Sequence, residues 1–138
     1  MNKYMNIFSL MTSLIFPIKN VDAVEANEIT KQQLTTMFKN ISKKTKWNLD
    51  DKMLWGYFFT DIKEKKLIEN KDKLVGLGYR FVKIYNNDNI LCMHVEKEEI
   101  HSVDSLFVRN KQLYKFSKEN GIRTYDGMDV GPITNTDK

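Results

Sequence analysis

The run Met53-Leu54-Trp55-Gly56-Tyr57-Phe58-Phe59 constrains the fold more than any other part of the chain. Strand side chains alternate between two faces, so Met53, Trp55, Tyr57 and Phe59 share one face while Leu54, Gly56 and Phe58 share the other. Both sets are apolar. A strand of that kind is expected in the middle of a sheet, covered on both sides.

The segments around it predict their own states. Thr60 or Asp61 can cap a helix whose stripe is Ile62, Leu67, Ile68, Leu74 and Val75, stopped at Gly76 or Gly78. Tyr79–Tyr85 and Ile90–Glu96 read as strands joined by the turn Asn86-Asn87-Asp88-Asn89. Ser102 is the expected cap of a last helix, with Val103, Leu106, Phe107, Asn110, Leu113 and Tyr114 at helical spacing and Gly121 at its end. Ile122–Tyr125 completes the set as a short edge strand. The order β-α-β-β-α-β predicts an α+β fold, the ferredoxin-like split sandwich. Right-handed crossovers would place both helices on one face of a four-stranded antiparallel sheet ordered four, one, three, two. An extra N-terminal helix, capped by Asn27 or Thr30 and running to about Lys43, precedes this unit. The implied division is a signal-like segment at 1–26, helix and linker at 27–48, the main domain at 49–133 and a flexible tail at 134–138.

Residues 1–26 resemble a secretory signal. Lys3 is the one early cation, Ile7–Ile18 is largely apolar, and Val21-Asp22-Ala23 and Val24-Glu25-Ala26 offer small-residue exits. Export to a periplasm is the expectation, with the cytoplasm as the alternative. The apolar run is too short to span a bilayer. The formal charge is +4 with acids and bases interleaved, which describes solvated helix faces. The exception is Lys39–Lys46, with four lysines and no acid; it could touch phosphate or anionic lipid, but the plainer reading is a solvated, frayed helix end. One cysteine, Cys92, excludes an internal disulfide and a cysteine-rich zinc site.

Chemistry has few places to sit. Cys92, His94 and Glu96 share one strand face, but three residues of one strand rarely converge on an ion, so neither metal nor cofactor is expected. His101, beside the Ser102 cap, suits local hydrogen bonding. Asp126 and Asp129 flank Gly127-Met128, and with His101 they are the residues a small hydrolase would use; the plainer expectation is a turn at Asp126-Gly127. Asn110 falls inside an apolar stripe and is expected to tie the last helix to the Tyr125–Gly131 stretch. Tyr57, Phe58 and Phe59 are the aromatics on which a single-stranded nucleic-acid-binding module would stack bases, but no RNP1-like string accompanies them, so direct nucleic-acid contact is not expected of this chain.

Four stretches carry a resemblance: Trp55-Gly56-Tyr57-Phe58-Phe59-Thr60-Asp61, Leu77-Gly78-Tyr79, His101-Ser102 with Leu106 and Arg109-Asn110, and Tyr125-Asp126-Gly127. Across about Leu49–Pro132 the chain resembles the ribonuclease E inhibitor B, or RraB-like, family. The resemblance implies a ferredoxin-like sandwich and a protein without chemistry of its own that docks on an endoribonuclease and lowers its activity. Its known inhibitors look acidic, whereas this chain is basic. The alternative is an exported module that binds another protein. The surface expected to dock comprises Trp55, Tyr57, Arg109, Tyr125, Asp126, Gly127, Met128 and Asp129, with the oligomeric state left open.

Overall fold

The computed structural model describes residues 28–133. The signal-like segment 1–26 and the tail 134–138 lie outside the described residues. Seven elements follow in order: α1 (Lys31–Lys44), β1 (Met53–Asp61), α2 (Glu64–Gly76), β2 (Arg80–Asn87), β3 (Ile90–Glu99), α3 (Val103–Glu119) and β4 (Thr124–Gly131).

The four strands form one antiparallel sheet in the order β2-β3-β1-β4. β1 is therefore central, as its two apolar faces require, and every residue from Met53 to Phe59 is buried. The hairpin turn lies at Asp88 and Asn89, whose φ values of 54° and 66° suit the right-handed twist of the flanking strands.

Trp55, Tyr57 and Phe59 on β1 and Met93 and Val95 on β3 form one core with Leu67 and Leu74 of α2, Leu106 and Leu113 of α3, and Leu34, Met37 and Ile41 of α1. The three helices thus contribute to the layer on one face of the sheet. α1 begins at a capping box between Thr30 and Gln33. It packs beside α3 and stacks Phe38 on Trp55, with ring centroids 6.2 Å apart.

Four expectations need correction. α2 starts at Glu64, and neither Thr60 nor Asp61 caps it: both belong to β1. Asp61 instead accepts the backbone N–H of Lys63 and, across the sheet, that of Arg123, each at 2.8 Å. The buried stripe of α2 is Leu67, Asn70 and Leu74, while Ile62, Ile68 and Val75 are exposed. β3 runs on to Glu99, because a charged continuation of a strand has no apolar alternation to mark it.

The fourth correction concerns the C-terminal stretch. The expected short strand and loop are a single strand, β4, paired along β1. Asp126-Gly127 is not a turn but a bulge, since Phe58 lies opposite Gly127 while Phe59 lies opposite Tyr125. Gly127 has a φ of 107°, which a residue with a Cβ rarely adopts. The extra residue reverses the alternation. Without it Tyr125 would face away from the helices; with it the Tyr125 ring packs 5.2 Å from Phe59, inside the core.

Candidate functional site

The register divides the noteworthy side chains between the two faces of the sheet. Tyr57 pairs with Val95 and Met128 on the helix-covered face. Gly56 pairs with Glu96 and Asp129 on the other face, and Phe58 pairs with His94.

On the helix-covered face, the end of β3 and the first turns of α3 assemble a polar network around Tyr57. The Arg109 guanidinium forks onto Glu99, with Nη1 2.5 Å from Oε2 and Nη2 3.0 Å from Oε1. The Tyr57 hydroxyl donates to Glu99 Oε2 at 2.7 Å. His101 Nε2 lies 3.0 Å from the same hydroxyl, and Nδ1 lies 2.9 Å from Ser105 Oγ. The one phenolic proton is committed to Glu99, so Nε2 is the donor toward the Tyr57 oxygen. Ser105 also closes the capping box of α3 with Ser102. The network therefore couples the helix cap to the sheet.

Charge is held tightly there. Burial pushes the Glu99 carboxyl up, but hydrogen bonds from His101, Arg109 and Tyr57, with the Arg109 charge, outweigh it and hold the group well below the usual carboxylate range. Burial, and then the Glu99 charge, push the Tyr57 hydroxyl far above its ordinary value. These are the signs of a locked ion pair rather than of an acid or base poised near neutrality.

Beside the network a cleft of about 310 Å³ opens between the end of α2 and α3. Leu77, Tyr79, Lys97, Arg109, Gln112 and Phe116 are among its walls. Lys97 Nζ sits 4.6 Å over the Tyr79 ring and donates to the Leu77 carbonyl at 3.1 Å, at the C-terminal end of α2. Gly78, with a φ of 99°, ends that helix, and a Cβ there would meet the Lys97 ammonium at 3.2 Å. The Arg109 guanidinium lies 5.7 Å from both the Tyr57 and the Tyr79 ring centres. Apolar floor and cationic rim suit a partner group that is part acidic and part apolar.

On the other face, Asp129 and Glu96 flank Gly56. Glu96 is ion-paired with Arg80. Asp129 is fully buried, and among the described residues neither of its oxygens has a hydrogen-bond partner. Burial, then the charge of Glu96, push its carboxyl well above the ordinary range. Cys92 lies on this face too, its thiol pushed up to about 11, chiefly by burial. Among the described residues, no three His, Cys, Asp or Glu side chains group as a metal site.

Of the residues expected to dock a partner, Trp55, Tyr57, Tyr125, Gly127, Met128 and Asp129 are buried, Arg109 is partly buried and Asp126 is exposed. Tyr125 donates to Asn110 Oδ1 at 2.6 Å, and Asn110 reaches Met128 Sδ at 3.4 Å. Asn110 thus ties α3 to β4 as its place in an apolar stripe implied. The hydrolase constellation is not assembled: His101 contacts Tyr57 on the helix-covered face, whereas Asp129 is on the opposite face. Tyr57 and Phe59 are sealed under helices and offer no base-stacking surface. Sequence reasoning did not find Glu99, Lys97 and Tyr79. The signal was present in Met93, Val95, Lys97 and Glu99 at every second position, but two of these are charged and hid the strand.

A family model described as regulator of ribonuclease activity B matches residues 31–130, from the first residue of α1 to the penultimate residue of β4. A search among curated proteins found no match.

Proposed function

The chain belongs to the regulator of ribonuclease activity B (RraB) family, and from that premise we propose that it is a non-catalytic regulator, built on a ferredoxin-like split sandwich, that lowers the activity of a ribonuclease E-type endonuclease by docking on it. The family match across the helices and sheet carries this reading. Contact falls to the cleft between α2 and α3, since most of the conspicuous aromatics serve the core. Leu77 is 58% exposed at its rim, and Lys97 supplies positive charge there, whereas Arg109 is neutralised by Glu99. A basic chain in a family with acidic inhibitors suits an acidic docking segment on its nuclease, because complementary fields set partner choice.

The test is a titration of the full chain into a ribonuclease E cleavage assay on a fluorogenic RNA, beside the variant Leu77→Glu/Gln112→Glu. Both positions are exposed, so the variant should fold. Wild type should suppress cleavage and the variant should not. No suppression by wild type would sink the nuclease reading; equal suppression by both would move the docking surface elsewhere. The signal-like segment 1–26 favours a second reading, an exported module that presents the same cleft to a partner outside the cytosol. Mass spectrometry of the mature N-terminus in fractionated cells separates the two.

A further inference from the structure

We propose that the C-terminal half of α1 and the turn after it form a second binding face, one that takes the phosphate backbone of single-stranded RNA on Lys39, Lys43, Lys44 and Lys46. From Lys31 to Asn48 the chain carries no carboxylate. All four of these lysines are exposed, and none is ion-paired among the described residues. Lys31, at the other end of the helix, is by contrast paired with Asp104.

The lysines stand on a fixed platform, not on a frayed helix end. Met37, Ile41 and Leu49 are buried beneath them. The Thr45 N–H and hydroxyl both reach the Ile41 carbonyl, at 2.9 and 2.8 Å, and the Thr45 hydroxyl accepts from Trp47 N–H at 3.1 Å. This cap fixes the chain from Lys43 through Lys46. Lys39 and Lys43 lie about one 5.4 Å turn apart on the same strip. The helix dipole accounts for lysines in the last turn, Lys43 and Lys44, but not for Lys39 before it or Lys46 beyond the cap.

A membrane surface is the weaker occupant, because no large exposed apolar side chain lies in this stretch to enter a bilayer. A polyphosphate chain is the stronger one: the family's regulation of a ribonuclease sets the protein beside RNA, and lysines bind phosphate as point charges. The face is remote in sequence from the α2–α3 cleft and does not depend on it.

Fluorescence anisotropy with a labelled oligouridine 12-mer, titrated with the full chain at several salt concentrations from 50 mM upward, tests this. Four phosphate contacts on a single strand predict a log–log salt slope of about −3, and the variant Lys39→Gln/Lys43→Gln should flatten it to about −1.5. Lys115→Gln/Lys118→Gln on α3 should leave the slope unchanged. Absence of binding at 50 mM salt, or a wild-type slope in Lys39→Gln/Lys43→Gln, overturns the proposal. So does a polyglutamate peptide of matched charge, or phosphatidylserine vesicles, binding more tightly than the RNA, which would make the occupant an acidic protein segment or a lipid surface. Because this assay contains no nuclease, it fails independently of the docking reading.

Discussion

Arg109 and Glu99 meet as a two-pronged ion pair beneath the cleft, with the Tyr57 hydroxyl donating to the same carboxylate. The side chains are only 18% and 16% exposed. A partly buried pair of this geometry is costly to break, because Glu99 keeps its Tyr57 and His101 contacts but loses its counter-charge. Arg109→Ala should lower unfolding stability by about 3–5 kcal/mol at pH 7. The combined change Arg109→Met/Glu99→Gln should cost less than the single one, since no charge is then stranded. Urea denaturation of the three proteins checks both statements. A loss under about 1 kcal/mol for Arg109→Ala would mean that the pair behaves as an exposed one.

The bulge at Asp126-Gly127 makes a second, separable prediction. Gly127→Ala places a Cβ at a φ of 107° and opposes the register that turns Tyr125 into the core. The expected cost is about 1–3 kcal/mol. Gly76→Ala is the control: Gly76 has open space around its would-be Cβ and ends α2 at an ordinary φ, so the change should be neutral or stabilise by up to about 1 kcal/mol. Guanidinium melts of the two variants give the comparison, and near-ultraviolet circular dichroism should report a disturbed tyrosine environment only for Gly127→Ala.

Cys92 should be inert in the folded protein. Its thiol is buried and pushed up to about 11, so at pH 8 almost none is thiolate, and the thiolate is the nucleophile. Reaction with an aromatic disulfide reagent at pH 8 should be slow natively and fast in 6 M guanidinium. Rapid labelling of the native chain would place Cys92 in contact with solvent.

These cases also show what the amino-acid order carries and what it hides. Trp55, Tyr57 and Phe59 announced a central strand because burial on two faces needs apolar residues at every position. Ser102 and Asn110 announced a helix and its tie to β4, because a cap and a buried amide each demand a local partner. The expected order four, one, three, two matches the observed one, since short connections leave few ways to join these elements. Asp126-Gly127 was misleading because the positive φ that suits a turn suits a bulge equally, and only pairing with β1 decides between them. Glu99 and Lys97 could not be seen as partners of Arg109 and Tyr79 until β3 was known to run to Glu99. The aromatics that carry the family resemblance, Trp55, Tyr57 and Tyr125 among them, are buried in the core, so packing by itself accounts for their place in the sequence.

Asp129 and Glu99 pull the pH dependence of stability in opposite directions. Glu99 titrates near 4.3 when unfolded and lower when folded, so its contribution is complete above that value and is lost as the pH falls through the folded one. Asp129 titrates near 3.9 when unfolded and much higher when folded. Between those values the unfolded chain releases a proton that the folded chain keeps, so unfolding becomes easier as the pH rises, by about 1.4 kcal/mol per pH unit from this one group. The slope ends at the folded value, above which both states are ionised. Asp129→Asn removes the titration while keeping the shape. Its stability relative to wild type should therefore climb as the pH is raised from 4 and then level off, even if the buried amide adds a constant offset. Chemical denaturation of the two proteins at unit steps from pH 4 to 9 measures this, and parallel curves across that range would show that Asp129 ionises as readily in the fold as it does in water.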